Sequence, residues 1–180
     1  FPGGHGLTIG GVKGDEFLLV TDTERHQFYK TTLDGKIMQT WNYPQAYEKY
    51  QIESEFVPTE TAVTKDGDIY VADGYGAQYI IHFGADGKLK NIFGGRGPEP
   101  KHLDNAHGLC IDTRRETPTL IITDRNRCCF KRYSLDGTYL ETISLPGANV
   151  CRPVIQGDYL YAAVLTSGST GNAETGFVII

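Results

Sequence analysis

No apolar run in the chain approaches the roughly 20 residues that a membrane-spanning helix requires, so no membrane span is expected. There is no excess of positive charge either. Lys and Arg number 17 against 22 Asp and Glu, a formal charge of −5 spread along the chain. A nucleic-acid surface needs a basic face, so nucleic acid is not an expected partner. Cysteine is sparse, and Cys110, Cys128, Cys129 and Cys151 lack metal-ligand spacing. Cys128 and Cys129 are neighbours in a predicted strand, so they face opposite sides and do not pair with each other. A disulfide from either to Cys110 or Cys151, and free buried thiols, both stay open. No helical pattern longer than a turn or two is present. The glycine-rich stretch Gly94-Gly95-Arg96-Gly97-Pro98 has no helix after it, so it is a connection and not a phosphate cradle.

What is present is strand and turn material: 22 Gly, 8 Pro, 11 Tyr, β-branched runs, and enough apolar residues (39%) for a core. One stretch, Ala106 to Gly137, sets the grammar. A short apolar strand opens on His107-Gly108-Leu109. A β-branched run, Leu120-Ile121-Ile122-Thr123, follows and closes on Asp124. A third strand, Cys129 to Tyr133, leads to the turn Asp136-Gly137. The same order occurs twice upstream, with apolar runs ending on Asp22 and Asp73, so the anchors repeat in two steps of 51 residues. Each anchor is followed by an Asp-Gly turn at 34–35, 86–87 and 136–137, where glycine accepts the positive φ that a tight turn needs.

Short strands repeated at this period are the mark of a β-propeller blade. A blade buries its faces only against neighbours, and about three and a half units do not close a ring. The chain is therefore expected to be part of a longer one, with remaining blades outside it. The units are read as approximately 1–57, 58–104, 105–145 and an incomplete 146–180, with 42–57 as a crossing connection and 166–175 as a Ser/Gly/Asn-rich loop.

Some residues break the repeat. His5 and His107 each precede their anchor by 17 residues, and each is followed by Gly-Leu. Aligned on these, the second unit presents Glu60. First strands of propeller blades line a central channel, so the two imidazoles can converge there on a cation such as zinc. The alternative is a structural strand start with the imidazole bonded to a backbone carbonyl. Tyr75 and Arg125, just after their anchors, share that rim. A tyrosine near a divalent cation can serve as a base, and an arginine can clamp a carboxylate. His26, His82 and His102 fall outside the matching positions and read as structural or exposed.

The lips His5-Gly6-Leu7 and His107-Gly108-Leu109, together with Val71-Ala72-Asp73-Gly74-Tyr75, Thr123-Asp124-Arg125-Asn126 and Thr21-Asp22 with His26-Gln27, resemble NHL-repeat propellers. More narrowly, they look like peptidyl-α-hydroxyglycine α-amidating lyases, over nearly the whole chain. That resemblance implies a six-bladed ring with zinc held by three histidines and a structural calcium nearby. It implies His5 and His107 as zinc ligands, Tyr75 as the catalytic tyrosine, Arg125 at the substrate side, and the Leu7 carbonyl as a calcium ligand. The third zinc histidine, an aspartate beside it and a further arginine are then expected outside this chain. Where the family has a cysteine just after its tyrosine, Gly76 stands here, so that loop lacks its disulfide. The implied reaction cleaves a peptidyl-α-hydroxyglycine to a peptide amide and glyoxylate, in a secreted or periplasmic protein. Competing readings are a non-catalytic NHL propeller that binds a peptide, glycan or protein, and a lactonase-like enzyme, which needs acidic channel ligands of which only Glu60 presents itself.

Overall fold

The computed structural model describes residues 1–43, 49–167 and 177–179. They form four antiparallel sheets in chain order. The first holds β1 (Gly4–Val12), β2 (Asp15–Asp22), β3 (Gln27–Thr31) and β4 (Ile37–Trp41). The second holds β5 (Glu60–Val63), β6 (Ile69–Ala72), β7 (Tyr79–Phe83) and β8 (Leu89–Gly94). The third holds β9 (Ala106–Asp112), β10 (Thr119–Asp124), β11 (Cys129–Ser134) and β12 (Tyr139–Ser144). The fourth holds β13 (Ala148–Gln156), β14 (Tyr159–Ser167) and β15 (Phe177–Ile179). Each sheet is a meander, and the first strands β1, β5, β9 and β13 adjoin one another in turn. This is a propeller arrangement, with those first strands lining the channel. Among the described residues the only helical pieces are 3₁₀ turns at Glu53–Glu55 and Arg125–Arg127, and no helix is long and apolar enough to cross a membrane.

Period-two alternation explains why the sheets stack. The second strand of a blade is apolar on both faces, because each face meets a neighbouring blade. In β6, Ile69 and Val71 join Leu19, Phe28, Trp41, Ile81 and Phe83 against the first sheet. Tyr70 and Ala72 point the other way, against Leu109, Leu120, Ile122 and Tyr133 of the third. In β10, Ile121 turns to Val150, Ala162 and Val164 of the fourth sheet. Each fully buried Val, Leu, Ile or Phe contributes about 1.5–3 kcal/mol, so each inter-blade seam is held by several such contacts. The outermost strand has one free face, and β12 alternates between half-buried and exposed residues.

The anchor aspartates show why the unit repeats. All three are fully buried at the end of a second strand and accept backbone N–H groups from the segment that feeds the channel strand. Asp22 Oδ1 accepts from Gly3 (3.2 Å), Asp73 Oδ1 from Val57 (2.7 Å) and Asp124 Oδ1 from Asp104 (2.9 Å). A buried N–H left unpaired costs about 1–3 kcal/mol, so the carboxylate fixes where each channel strand starts. The Asp-Gly turns close as expected, with φ of +88° at Gly35, +77° at Gly87 and +91° at Gly137.

Two expectations are corrected. Cys128 is not in a strand: it caps the 3₁₀ turn with φ of +50°, and β11 starts at Cys129. All four cysteines are free thiols. The loop expected at 166–175 starts later, since β14 runs through Ser167, and its remainder lies outside the described residues, as does the middle of the 42–57 connection.

Candidate functional site

The site is built where the channel strands begin. β1 is irregular between Gly4 and Leu7, and β9 has a matching shift opposite Ile122 and Asp124. In both, a His-Gly pair faces a single threonine. The Thr21 hydroxyl accepts the Gly6 N–H at 2.6 Å, and that of Thr123 accepts the Gly108 N–H at 2.7 Å. A bulge of this kind re-aims the side chain it carries. Here it turns His5 and His107 toward each other, with ring centroids 4.9 Å apart.

The second blade has no bulge. Glu60 pairs directly with Ala72, and Thr61 pairs with Val71, as Leu7 does with Val20 and Leu109 with Ile122. Counted from that end Glu60 falls on Gly6 and Gly108, and without the inserted residue the second blade has no counterpart of the histidines. The alignment of Glu60 with His5 is off by one residue.

The second blade contributes Tyr75 instead. Its ring lies 5.1 Å from His5 and 5.6 Å from His107, and its hydroxyl is 3.1 Å from His5 Nε2. His5 Nδ1 lies 2.7 Å from the Thr59 carbonyl. A carbonyl only accepts, so Nδ1 carries the proton and Nε2 keeps its lone pair. The two readings of this histidine are thus compatible: one nitrogen bonds the backbone and the other faces the channel. His107 Nδ1 is buried with no hydrogen-bond partner. Burial, then the Arg125 guanidinium, then His5 push the His107 imidazole down to about 3, so it is neutral at physiological pH. A neutral imidazole with an unpartnered Nδ1, beside a second lone pair, fits a divalent transition metal. Among the described residues no three His, Cys, Asp or Glu side chains cluster, so the donors present are two imidazoles and a phenol.

The Tyr75 loop is held without a disulfide. The Asp73 carboxylate accepts from Val57 N–H, from Ala77 N–H at 2.6 Å and from the Tyr50 hydroxyl at 2.8 Å. Gln78, which is 2% exposed, donates from Nε2 to the carbonyls of Gly74 (2.8 Å) and Gly76 (3.1 Å). Its Oε1 accepts the N–H of Ala106 at 2.8 Å, next to His107. Gln78 thus ties both flanks of Tyr75 to the third blade. A Cβ on Gly74 would lie 2.1 Å from the Ala106 carbonyl oxygen, so the loop can take this path only with glycine there.

Arg125 opens the 3₁₀ turn after Asp124, with its backbone N–H on the Asn105 carbonyl (3.0 Å) and Nη2 3.5 Å from Cys151 Sγ. Its Nε is buried without a partner. Leu7 is 51% exposed, and its carbonyl accepts from Arg152 Nη1 at 2.7 Å. The remaining histidines serve locally: His26 bonds the Phe56 carbonyl, His82 bonds Asp68 and stacks on Tyr70, and His102 accepts the Glu99 N–H. Outside Tyr75 lies a recess of about 490 Å³ lined by Lys49, Ser54, Glu55, Tyr79 and Arg96.

No protein-family model matches the chain. It is 38% identical over 87 residues to a probable peptidyl-α-hydroxyglycine α-amidating lyase of Caenorhabditis elegans, covering 47% of this chain and 23% of that protein. Among solved structures it matches virginiamycin B lyase from Staphylococcus aureus at 17% identity and a TM-score of 0.65, over 99% of this chain and 55% of that one. It matches hydrazine synthase of Kuenenia stuttgartiensis at 13% identity and a TM-score of 0.67, over 99% and 49%. The chain spans about half the length of the solved chains it resembles. It is an all-β, propeller-type chain, similar in part of its sequence to an amidating lyase and in its fold to lyases of other kinds.

Proposed function

We propose that this chain carries part of the centre of a zinc-dependent lyase that cleaves the C–N bond of a peptidyl-α-hydroxyglycine. The carrying observation is the convergence of His5, Tyr75 and His107 from three successive blades, with ring centroids 4.9–5.6 Å apart. His5 Nε2 and His107 would hold the metal, and a third protein donor is needed from the remaining blades. Bound zinc supplies Lewis acidity that lowers the pKa of an alcohol placed against it. Tyr75, as phenolate, takes the proton of the substrate's α-hydroxyl. The electron pair left on oxygen forms the C=O of glyoxylate as the C–N bond breaks, and the departing amide nitrogen takes a proton back from the Tyr75 hydroxyl. Arg125, with an unpartnered Nε, holds the substrate's carboxylate. The recess outside Tyr75, bearing Lys49 and Arg96, receives the peptide portion. A secreted or periplasmic setting goes with this substrate.

The test is metal analysis of the full-length protein with a glyoxylate-release assay on an α-hydroxyglycine peptide. The expected result is bound zinc and release, with both reduced in His107→Ala. Failure of the zinc-loaded protein to release glyoxylate, beside an active reference lyase, removes the reading. The competing reading, a non-catalytic propeller that binds a peptide, glycan or protein on its rim, draws on the limited donor set of two imidazoles among the described residues. It predicts no stoichiometric zinc.

A further inference from the structure

We propose that the structural cation of this channel is the guanidinium of Arg152, in the place where the family resemblance leads one to expect calcium. Arg152 lies in the irregular part of β13 between Val150 and Pro153. From the fourth blade it reaches the first and second. Nη1 donates to the Leu7 carbonyl at 2.7 Å, Nη2 lies 3.4 Å from Thr8 Oγ1, and Nε is 3.2 Å from Glu60 Oε2. Glu60 is 4% exposed, and its other oxygen accepts the Thr61 N–H at 3.0 Å. One side chain therefore ties three blades together through a carbonyl and a carboxylate, the two groups a calcium would otherwise gather.

The path of Arg152 depends on the third blade. A Cβ on Gly108 would sit 2.6 Å from Arg152 Cα, so β13 approaches this closely only because β9 carries glycine there. Gly6 does the same for Glu60, whose Cα would be 2.9 Å from an added Cβ. Glycine in the first and third blades thus makes room for the acid of the second and the base of the fourth.

Calcium does not fit beside this pair. It takes six to eight oxygens at about 2.3–2.6 Å, commonly with several carboxylates. Among the described residues Glu60 is the one carboxylate bonded to Arg152, and both its oxygens are engaged. An ion on the Leu7 carbonyl would lie within about 5 Å of the guanidinium, where a double and a single positive charge repel strongly in a partly buried site.

The test uses the full-length protein and does not rest on the lyase reading. Calcium and zinc are counted together after purification in calcium-containing buffer, and thermal unfolding is followed with and without EGTA. The expected result is less than about 0.1 calcium per chain and no EGTA effect on Tm. Arg152→Met should lower Tm by roughly 4–10 °C, because Glu60 is left buried and unpaired. About one calcium per chain with an EGTA-sensitive Tm would overturn the proposal, and so would an Arg152→Met variant of unchanged Tm. If that variant does not fold, the wild-type calcium count and EGTA response decide alone. Absence of zinc or of glyoxylate release in the same preparation counts only against the lyase reading.

Discussion

Gln78→Glu exchanges one amide for an isosteric carboxyl at the joint between Tyr75 and His107, and its cost follows from three hydrogen bonds. One oxygen still accepts the Ala106 N–H, which lies 2.8 Å away in the wild type. The other replaces Nε2 and faces the carbonyls of Gly74 and Gly76, 2.8 and 3.1 Å off, with no hydrogen to offer. The backbone at 78 has φ of +71°, but that strain is common to both side chains and cancels. Two buried acceptors lose their donor at about 1–3 kcal/mol each, so the loss is roughly 2–6 kcal/mol while the carboxyl is ionised. Burial against two carbonyls raises the folded pKa of the new carboxyl above its unfolded value of about 4.3. A raised pKa means that its stability contribution is full below that unfolded value and is lost as pH rises through the folded one. Thermal unfolding by circular dichroism should therefore give a Tm about 5–15 °C below wild type at pH 8, and a smaller gap at pH 5. Equal Tm values at pH 8, or a gap that widens toward pH 5, would refute the assignment of Gln78 as the tie between the two blades.

Tyr75→Phe removes a hydroxyl whose one hydrogen bond among the described residues is to His5 Nε2, at a 43%-exposed residue, so unfolding should shift by less than about 1 kcal/mol. Glyoxylate release should fall about 10²–10⁴-fold, and a rate within about threefold of wild type would remove Tyr75 as the base. Gly108→Ala places a Cβ against the backbone of Arg152 and should cost about 1–3 kcal/mol in urea unfolding; no loss would contradict the close blade approach. Asp112 is held well below the usual carboxylate range by hydrogen bonds from Arg114 and then Arg132. Its stabilisation is present above about pH 4 and is lost as pH falls through the lowered value, so Asp112→Asn should be less stable than wild type at pH 7, with a gap that narrows steadily as pH falls below about 4.

The parts of this fold legible in the sequence are those that repeat for a local reason. Asp34-Gly35, Asp86-Gly87 and Asp136-Gly137 are readable because a positive φ selects glycine within one turn. The anchors Asp22, Asp73 and Asp124 are readable because each must meet the same orphan N–H groups in its own blade. Counting back from the anchors finds His5 and His107 because both lips carry the same bulge. Glu60, placed by matching Glu60-Thr61-Ala62-Val63 to His-Gly-Leu-Thr, falls one residue out, because the first and third lips carry an inserted residue and the second does not. The clue was one residue away: Thr21 and Thr123 supply the hydroxyl that caps each bulge, while Ala72 has none to give. Arg152 and Gln78 left no such trace, because their partners lie in other blades, 145 residues away for Leu7 and 28 for Ala106. Periodicity within a unit thus identifies what lines the channel. Which side chains meet across it depends on bulges and on glycines that let strands of different blades approach, and these act between units rather than within them.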